Sequence, residues 1–194
     1  MAVDLHLHST VSDGSETPED IVLEASRIGL TAIALTDHDT LDGISRAAGV
    51  AAEVDIRFIP GIELSVDWRK QSMHMLVYFL SPEPGPLQDR LEELRRGRSQ
   101  RNERIVGLLQ DCGIDIAMEE VTAEAGEGVV GRPHLAGVMI RKGYVSSVGE
   151  AFDRYLATGR PAYSPRIKLA ASEAISLARK TGAVPVIAHP HTLN

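Results

Sequence analysis

The order in which apolar segments change their period constrains this chain more than any other feature. Val3 to Leu7 alternates apolar with polar residues as a strand does, and Ser12-Asp13-Gly14-Ser15 follows as a turn. Thr17-Pro18-Glu19-Asp20 supplies an N-cap, a proline at the first helical position and acids in the first turn. It opens a helix that runs to Ile28 and is closed by Gly29. Thr31 to Thr36 is an apolar run of the kind buried on both faces of a sheet, Leu41 to Val54 reads as a second helix, and Asp55 to Ile62 and Met73 to Leu80 read as strands. This alternation predicts an α/β fold with a parallel sheet and right-handed crossovers.

The rhythm breaks at Ser81-Pro82-Glu83-Pro84-Gly85-Pro86, which continues neither a strand nor a helix. Residues 81–165 are therefore expected to form an insertion or cap, with helices over Leu87–Gln110, Met118–Ala125, Arg132–Lys142 and Ala151–Leu156. Ser172 to Lys180 returns as an amphipathic helix ended by Gly182, and Val184 to Ala188 as a buried strand. The α/β body thus covers 1–80 and 166–194. A closed α/β barrel needs roughly eight units and ~250 residues, so two or three strands are expected beyond Asn194.

Composition narrows the function. The 194 residues carry 27 acidic against 20 basic side chains, a net charge of −7, which argues against general nucleic-acid coating, and 4% aromatics are too few for a base-stacking platform. No apolar run approaches the ~20 residues of a membrane span. The single Cys112 excludes a disulfide framework and a thiolate zinc site, and the first residues lack a signal peptide's pattern, so a cytoplasmic protein is expected.

The histidines gather near strand ends. His6 and His8 are two apart, so on a strand they share a face and grip one ion together, with Asp13 in the adjoining loop. Thr36-Asp37-His38-Asp39 follows the second strand, Glu63 the third and His189 the fifth, while His74 begins the fourth. Side chains converging from several strand ends on one rim are how α/β barrels build active sites. Imidazole and carboxylate without thiolate suit Zn, Mn or Fe.

His6-Leu7-His8, Asp13-Gly14, Thr36-Asp37-His38-Asp39, Gly61-Ile62-Glu63, His74 and Ala188-His189-Pro190 resemble the PHP (polymerase and histidinol phosphatase) superfamily over essentially the whole chain. Arg98-x-x-Arg101-Asn102, Gly131-Arg132-Pro133-His134 and Ala151-Phe152 resemble its nucleotide phosphoesterases. The resemblance implies a distorted (β/α)7 barrel, incomplete at the C-terminus, with a mostly helical insertion. It implies a metal-dependent phosphoesterase that removes the 3′-phosphate of nucleoside 3′,5′-bisphosphates or trims oligonucleotides from the 5′ end, with up to three divalent ions. On this pattern His6, His8 and Glu63 hold one ion, Glu63 bridges to a second held by His74 and His189, and Asp13 and His38 hold a third. Family members complete two of these with an Asp-x-His pair from a later strand, and the sequence ends before one. His191 stands where the family has glycine, as a phosphate contact or a replacement ligand.

Phosphoester hydrolysis suits such ligands, because clustered divalent ions neutralise the phosphate and make water acidic enough to attack. Asp37 and Asp39 either orient ligand imidazoles or cap the loop. In the long insertion helix Leu87, Leu91, Leu94, Ile105 and Leu108 mark an apolar stripe that Arg98 and Arg101 interrupt. Those two and Arg132 are candidates to bind a substrate's second phosphate. His134 either contacts phosphate or protonates the leaving oxygen. The expected partner is a nucleotide or short oligonucleotide, with no membrane and no obligatory protein partner. The competing readings are a histidinol-phosphate-type phosphatase and a non-catalytic metal-binding module.

Overall fold

A computed structural model describes residues 2–69, 71–81, 83–126 and 128–192; Met1, Pro82 and Asn194 of the sequence reading lie outside the described residues. The chain divides into two compact units, Met1–Leu94 with Lys168–Asn194, and Arg95–Ile167. Among the described residues no helix is long and apolar enough to cross a membrane.

The first unit is a curled half-barrel sheet packed on helices. Its elements are β1 (Ala2–Leu7), α1 (Pro18–Arg27), β2 (Leu30–Leu35), α2 (Ile44–Glu53), β3 (Arg57–Trp68), β4 (Gln71–Tyr78), the start of α3 (Pro86–Asp111), β5 (Leu169–Ala170), α7 (Ala171–Lys180) and β6 (Val184–Ile187). Helix α1 begins as its sequence demands: Thr17 Oγ1 accepts from the Asp20 N–H at 3.1 Å, Pro18 opens the first turn, and Gly29 ends the segment at φ 81°.

The sheet order is β1-β2-β3-β4-β6, with β5 beside β3. Strands β1, β2 and β3 are parallel, as the alternation predicts, but β4 is antiparallel to β3 and β6 antiparallel to β4. The expectation of a parallel sheet holds for β1 to β3 and fails at β4, because β3 does not end at Ile62. It runs to Trp68, paired with Gln71, and a connection that short admits only a hairpin. β5 was not anticipated.

Two cores hold this unit. Ile62, Leu64 and Val66 of β3, with Met75 and Val77, pack on Leu87, Leu91 and Leu94 of α3 and on Ala174 and Ala178 of α7. Ile33 and Leu35 of β2 pack on Val22 of α1 and Ile44 and Ala47 of α2. Each fully buried Leu or Ile contributes about 1.5–3 kcal/mol. β6 departs from the expected buried strand: Val184, Val186 and Ile187 are 46%, 43% and 50% exposed. Among the described residues β6 pairs with β4 alone.

The second unit contains the rest of α3, then α4 (Met118–Ala125), α5 (Arg132–Arg141) and α6 (Val148–Ala151), which passes into a π-helical turn at Phe152–Leu156 rather than the single short helix expected. Ile105, Leu109, Ile116, Val121, Leu135, Met139 and Leu156 form its core. Leu108 of the expected stripe is only half-buried, and Val106 and Leu109 are buried instead.

Candidate functional site

Glu63 lies within β3, not beyond it. The apolar residues on either side, Ile62 and Leu64, face the core, so the strand's period of two turns Glu63 to the opposite face. Its side chain is 1% exposed and five imidazoles surround it. Oε2 lies 2.7 Å from His6 Nε2, 2.9 Å from His8 Nε2 and 3.7 Å from His38 Nε2. Oε1 lies 3.0 Å from His74 Nδ1 and 2.9 Å from His189 Nε2. The rings close a circle: successive centroids from His6 through His8, His38, His74 and His189 back to His6 are 5.0, 4.6, 4.9, 5.2 and 6.0 Å apart. Asp13, exposed in its loop, approaches His8 Nδ1 at 3.5 Å and His38 Nε2 at 3.7 Å.

One buried carboxylate among five imidazoles is an electrostatic device. Burial alone would raise the Glu63 pKa, but close contacts with His74, His8 and His6 and the charge of His38 outweigh it and hold the carboxyl far below its ordinary value. At His8 burial pulls down, yet Glu63, then Asp13 and Asp37, bring the net shift upward. At His38 burial prevails over Glu63, and His8 and His74 add to it, so the imidazole stays neutral to lower pH.

Among the described residues three groups offer ligand atoms mutually within 4.8 Å: His6, His8 and Glu63; His8, Asp13 and His38; and His38, Glu63 and His74. Among the described residues the Nδ1 atoms of His8, His38 and His74 are buried without a hydrogen-bond partner, the last lying near Glu63 without the alignment of a bond. Imidazole nitrogens gathered beside an ionised carboxylate are a donor set that fits a divalent cation.

Asp37 and Asp39 both accept hydrogen bonds from backbone N–H groups and serine hydroxyls beside the ligands. Asp37, 2% exposed, accepts from Ser9 N–H at 2.7 Å, Ser9 Oγ at 2.7 Å and Ser12 Oγ at 2.6 Å. Asp39 accepts from Ser65 N–H at 2.8 Å and Ser65 Oγ at 2.9 Å. Both clamp backbone beside the ligands, which favours the capping reading in a new form. His191 is exposed in the 3-10 turn Pro190–Thr192.

In the second unit, Arg98 and Arg101 are half-buried on α3. Arg101 donates to Asn102 Oδ1 at 2.7 Å, and the buried Asn102 donates to the Val130 carbonyl at 3.1 Å, while Arg101 Nε is buried without a partner among the described residues. Burial, then Arg132, Arg166 and Arg98, brings the Arg101 pKa down to about 10. Arg132 donates to the Leu156 carbonyl at 3.1 Å and stacks over Phe152. Arg166 belongs to this positive group and was missed, because a lone arginine after Pro165 carries no periodic signal. His134 Nδ1 accepts from the Gly131 N–H at 3.0 Å, which leaves the neutral ring a proton on Nε2.

The PHP domain family model matches residues 4–159. A 5′-3′ exoribonuclease of Haemophilus influenzae is 35% identical over 191 residues, 98% of this chain and 69% of the relative. A 3′,5′-nucleoside bisphosphate phosphatase of Chromobacterium violaceum is 31% identical over 189 residues, 97% of this chain and 66% of the relative. A solved amidohydrolase from Chromobacterium violaceum, with sulfate bound and no metal, superposes with TM-score 0.80 at 30% identity, covering 97% of this chain and 67% of the other. The chain thus spans about two thirds of the length of these proteins. With a match over most of its length, relatives above 30% identity and a histidine circle built from the motifs that carried the resemblance, the chain belongs to the PHP domain family.

Proposed function

We propose that this chain is a metal-dependent phosphoesterase acting on nucleotides, removing the 3′-phosphate of nucleoside 3′,5′-bisphosphates or shortening oligonucleotides from the 5′ end. The observation that carries the reading is the circle of five imidazoles about the ionised Glu63. We assign metal binding to His6, His8, Asp13, His38, Glu63, His74 and His189, with Mn, Zn or Fe as the ion. When bound, such ions neutralise phosphate charge and make water acidic enough to attack near neutral pH. Glu63 stays ionised despite its burial, so a negative charge is in place to hold cations without prior deprotonation.

Arg98, Arg101, Arg132, His134 and His191 are assigned to the substrate's phosphates. Guanidinium groups grip phosphate oxygens in pairs, and the partnerless Arg101 Nε has a donor to give. His134 acts as a hydrogen-bond donor through Nε2–H, because its Nδ1 is already engaged by Gly131 and protonating it would set two N–H groups against each other. The names of the two curated relatives support nucleotide substrates.

The test is phosphate release from adenosine 3′,5′-bisphosphate with Mn²⁺, beside a chelator and a His8→Ala control. Release abolished by both is the expected result. Chelator-insensitive release, or wild-type rates in the variant, would end the proposal.

A further inference from the structure

The segment joining β2 to α2 touches more of the ligand-bearing chain than its own single ligand requires. Thr36 N–H donates to the Leu7 carbonyl at 2.8 Å, Glu63 N–H to the Asp37 carbonyl at 3.2 Å and Asp39 N–H to the Glu63 carbonyl at 3.1 Å, so His38 bridges to Glu63 as one rung of a parallel ladder. The two side chains flanking His38 then reach to different segments. Asp37 gathers three donors from Ser9 and Ser12, which follow His8 and precede Asp13 at the two ends of the intervening turn. Asp39 takes both the N–H and the hydroxyl of Ser65, two residues after Glu63. Asp39 holds φ 55°, a conformation costly for a residue with a side chain, and its two bonds to Ser65 help hold it there. A buried carboxylate such as Asp37 is expensive to desolvate, and its three donors offset that cost only while the Ser9–Ser12 turn keeps this geometry.

We infer that Asp37 and Asp39 are positioning residues that act on different ion positions: Asp37 fixes the His8–Asp13–His38 group through the turn, and Asp39 fixes the two groups containing Glu63 through β3. The inference rests on the metal-centre reading above. Its prediction is selective. Partners standing behind metal ligands change affinity by about tenfold or more when removed, and here Asp37 acts on the position that contains Asp13 while Asp39 acts on those that contain Glu63.

The experiment is Mn²⁺ titration by calorimetry, with no activity readout. In an Asp13→Asn background, Asp37→Asn is expected to change the remaining affinity less than about threefold, while Asp39→Asn weakens it by about tenfold or more. With Asp13 intact, Asp37→Asn weakens or removes one ion and spares the rest. Ser12→Ala and Ser65→Ala, which delete one hydroxyl donor each, repeat the two patterns should an aspartate variant fail to fold. Wild-type binding in all variants, or equal loss of every ion in both, overturns the inference while leaving the metal centre standing. A wild-type chain that binds no Mn²⁺ overturns the metal centre and the inference with it.

Discussion

Gly14 closes the turn that carries Asp13, and a methyl group there has nowhere to go. A Cβ built on it lies 2.1 Å from the His8 carbonyl oxygen, 2.5 Å from the carbonyl carbon and 2.9 Å from Ser9 Cα. All three are backbone atoms, so no rotamer relieves the clash. Real Cβ contacts do not fall below 3.0 Å, so the turn and the His8 backbone must separate by at least 3.0 − 2.1 = 0.9 Å. The turn resists, because the N–H groups of Ser12 and Gly14 both donate to the Ser9 carbonyl, at 3.0 and 2.9 Å. Gly14→Ala is therefore expected to cost about 1–3 kcal/mol in urea unfolding, as overpacked sites do. A displacement near 1 Å at a positioned group costs on the order of 10²-fold in rate. The assay is phosphate release from adenosine 3′,5′-bisphosphate, with Mn²⁺ affinity and unfolding measured on the same preparation and Ser15→Ala, exposed next door, as the unchanged control. Wild-type rate and affinity in Gly14→Ala would refute the argument that this contact sets Asp13.

Further consequences follow from burial and charge. The Arg101 pKa is brought down to about 10 by burial and neighbouring arginines, so its charge opposes folding at neutral pH and that penalty lifts only as pH rises through about 10 toward 12.5. Arg101→Met should raise the melting temperature in phosphate-free buffer and abolish the stabilisation that inorganic phosphate gives the wild type; a lower melting temperature, or undiminished phosphate stabilisation, contradicts this. Glu150 is held at about 2 by the Ser146 N–H and hydroxyl and by Arg154, so its contribution is present above the ordinary carboxylate value of 4.5 and lost as pH falls through about 2. Glu150→Gln should flatten the acid-side fall of the melting temperature over that window, and an unchanged slope would count against the assignment. Leu109, fully buried in the second unit, should cost about 2–5 kcal/mol as Leu109→Ala in the urea midpoint. A loss below about 1 kcal/mol would mean the cluster collapses into the space.

Local signals carried much of the fold and the clustering of the site. The Thr17 cap, the Gly29 stop and the two-residue spacing of His6 and His8 need nothing beyond neighbouring residues, and they appear where the pattern puts them. The strand expected over Asp55–Ile62 ends too early, since β3 runs on to Trp68. In the structure Gly61 is a strand residue whose missing side chain admits a close approach: a Cβ would stand 3.0 Å from Thr36 Cγ2 and 3.2 Å from the Leu35 and Val77 carbonyl oxygens. The alternation of Ile62 through Trp68 was the available corrective, and it also reveals the hairpin. Asp37 was harder to read. Its partners Ser9 and Ser12 lie 28 and 25 residues away, so its part as a clamp is written in tertiary contact alone. Arg166 joins Arg101 in the same way, with no periodicity to announce it.

The period of two in β3 has a further implication for how this sequence can vary. Ile62, Leu64 and Val66 fill the core from one side of the strand, while Glu63 and Ser65, on the other side, meet the histidines and Asp39. Inserting or deleting one residue before Glu63 would exchange the two sides, sending a carboxylate into the apolar layer and a leucine or isoleucine into the histidine circle. Neighbours on both flanks, parallel β2 and antiparallel β4, would have to slip together to compensate. The strand therefore acts as a reading frame for core and site at once, in which single-residue indels are forbidden and length can drift only at the hairpin tip.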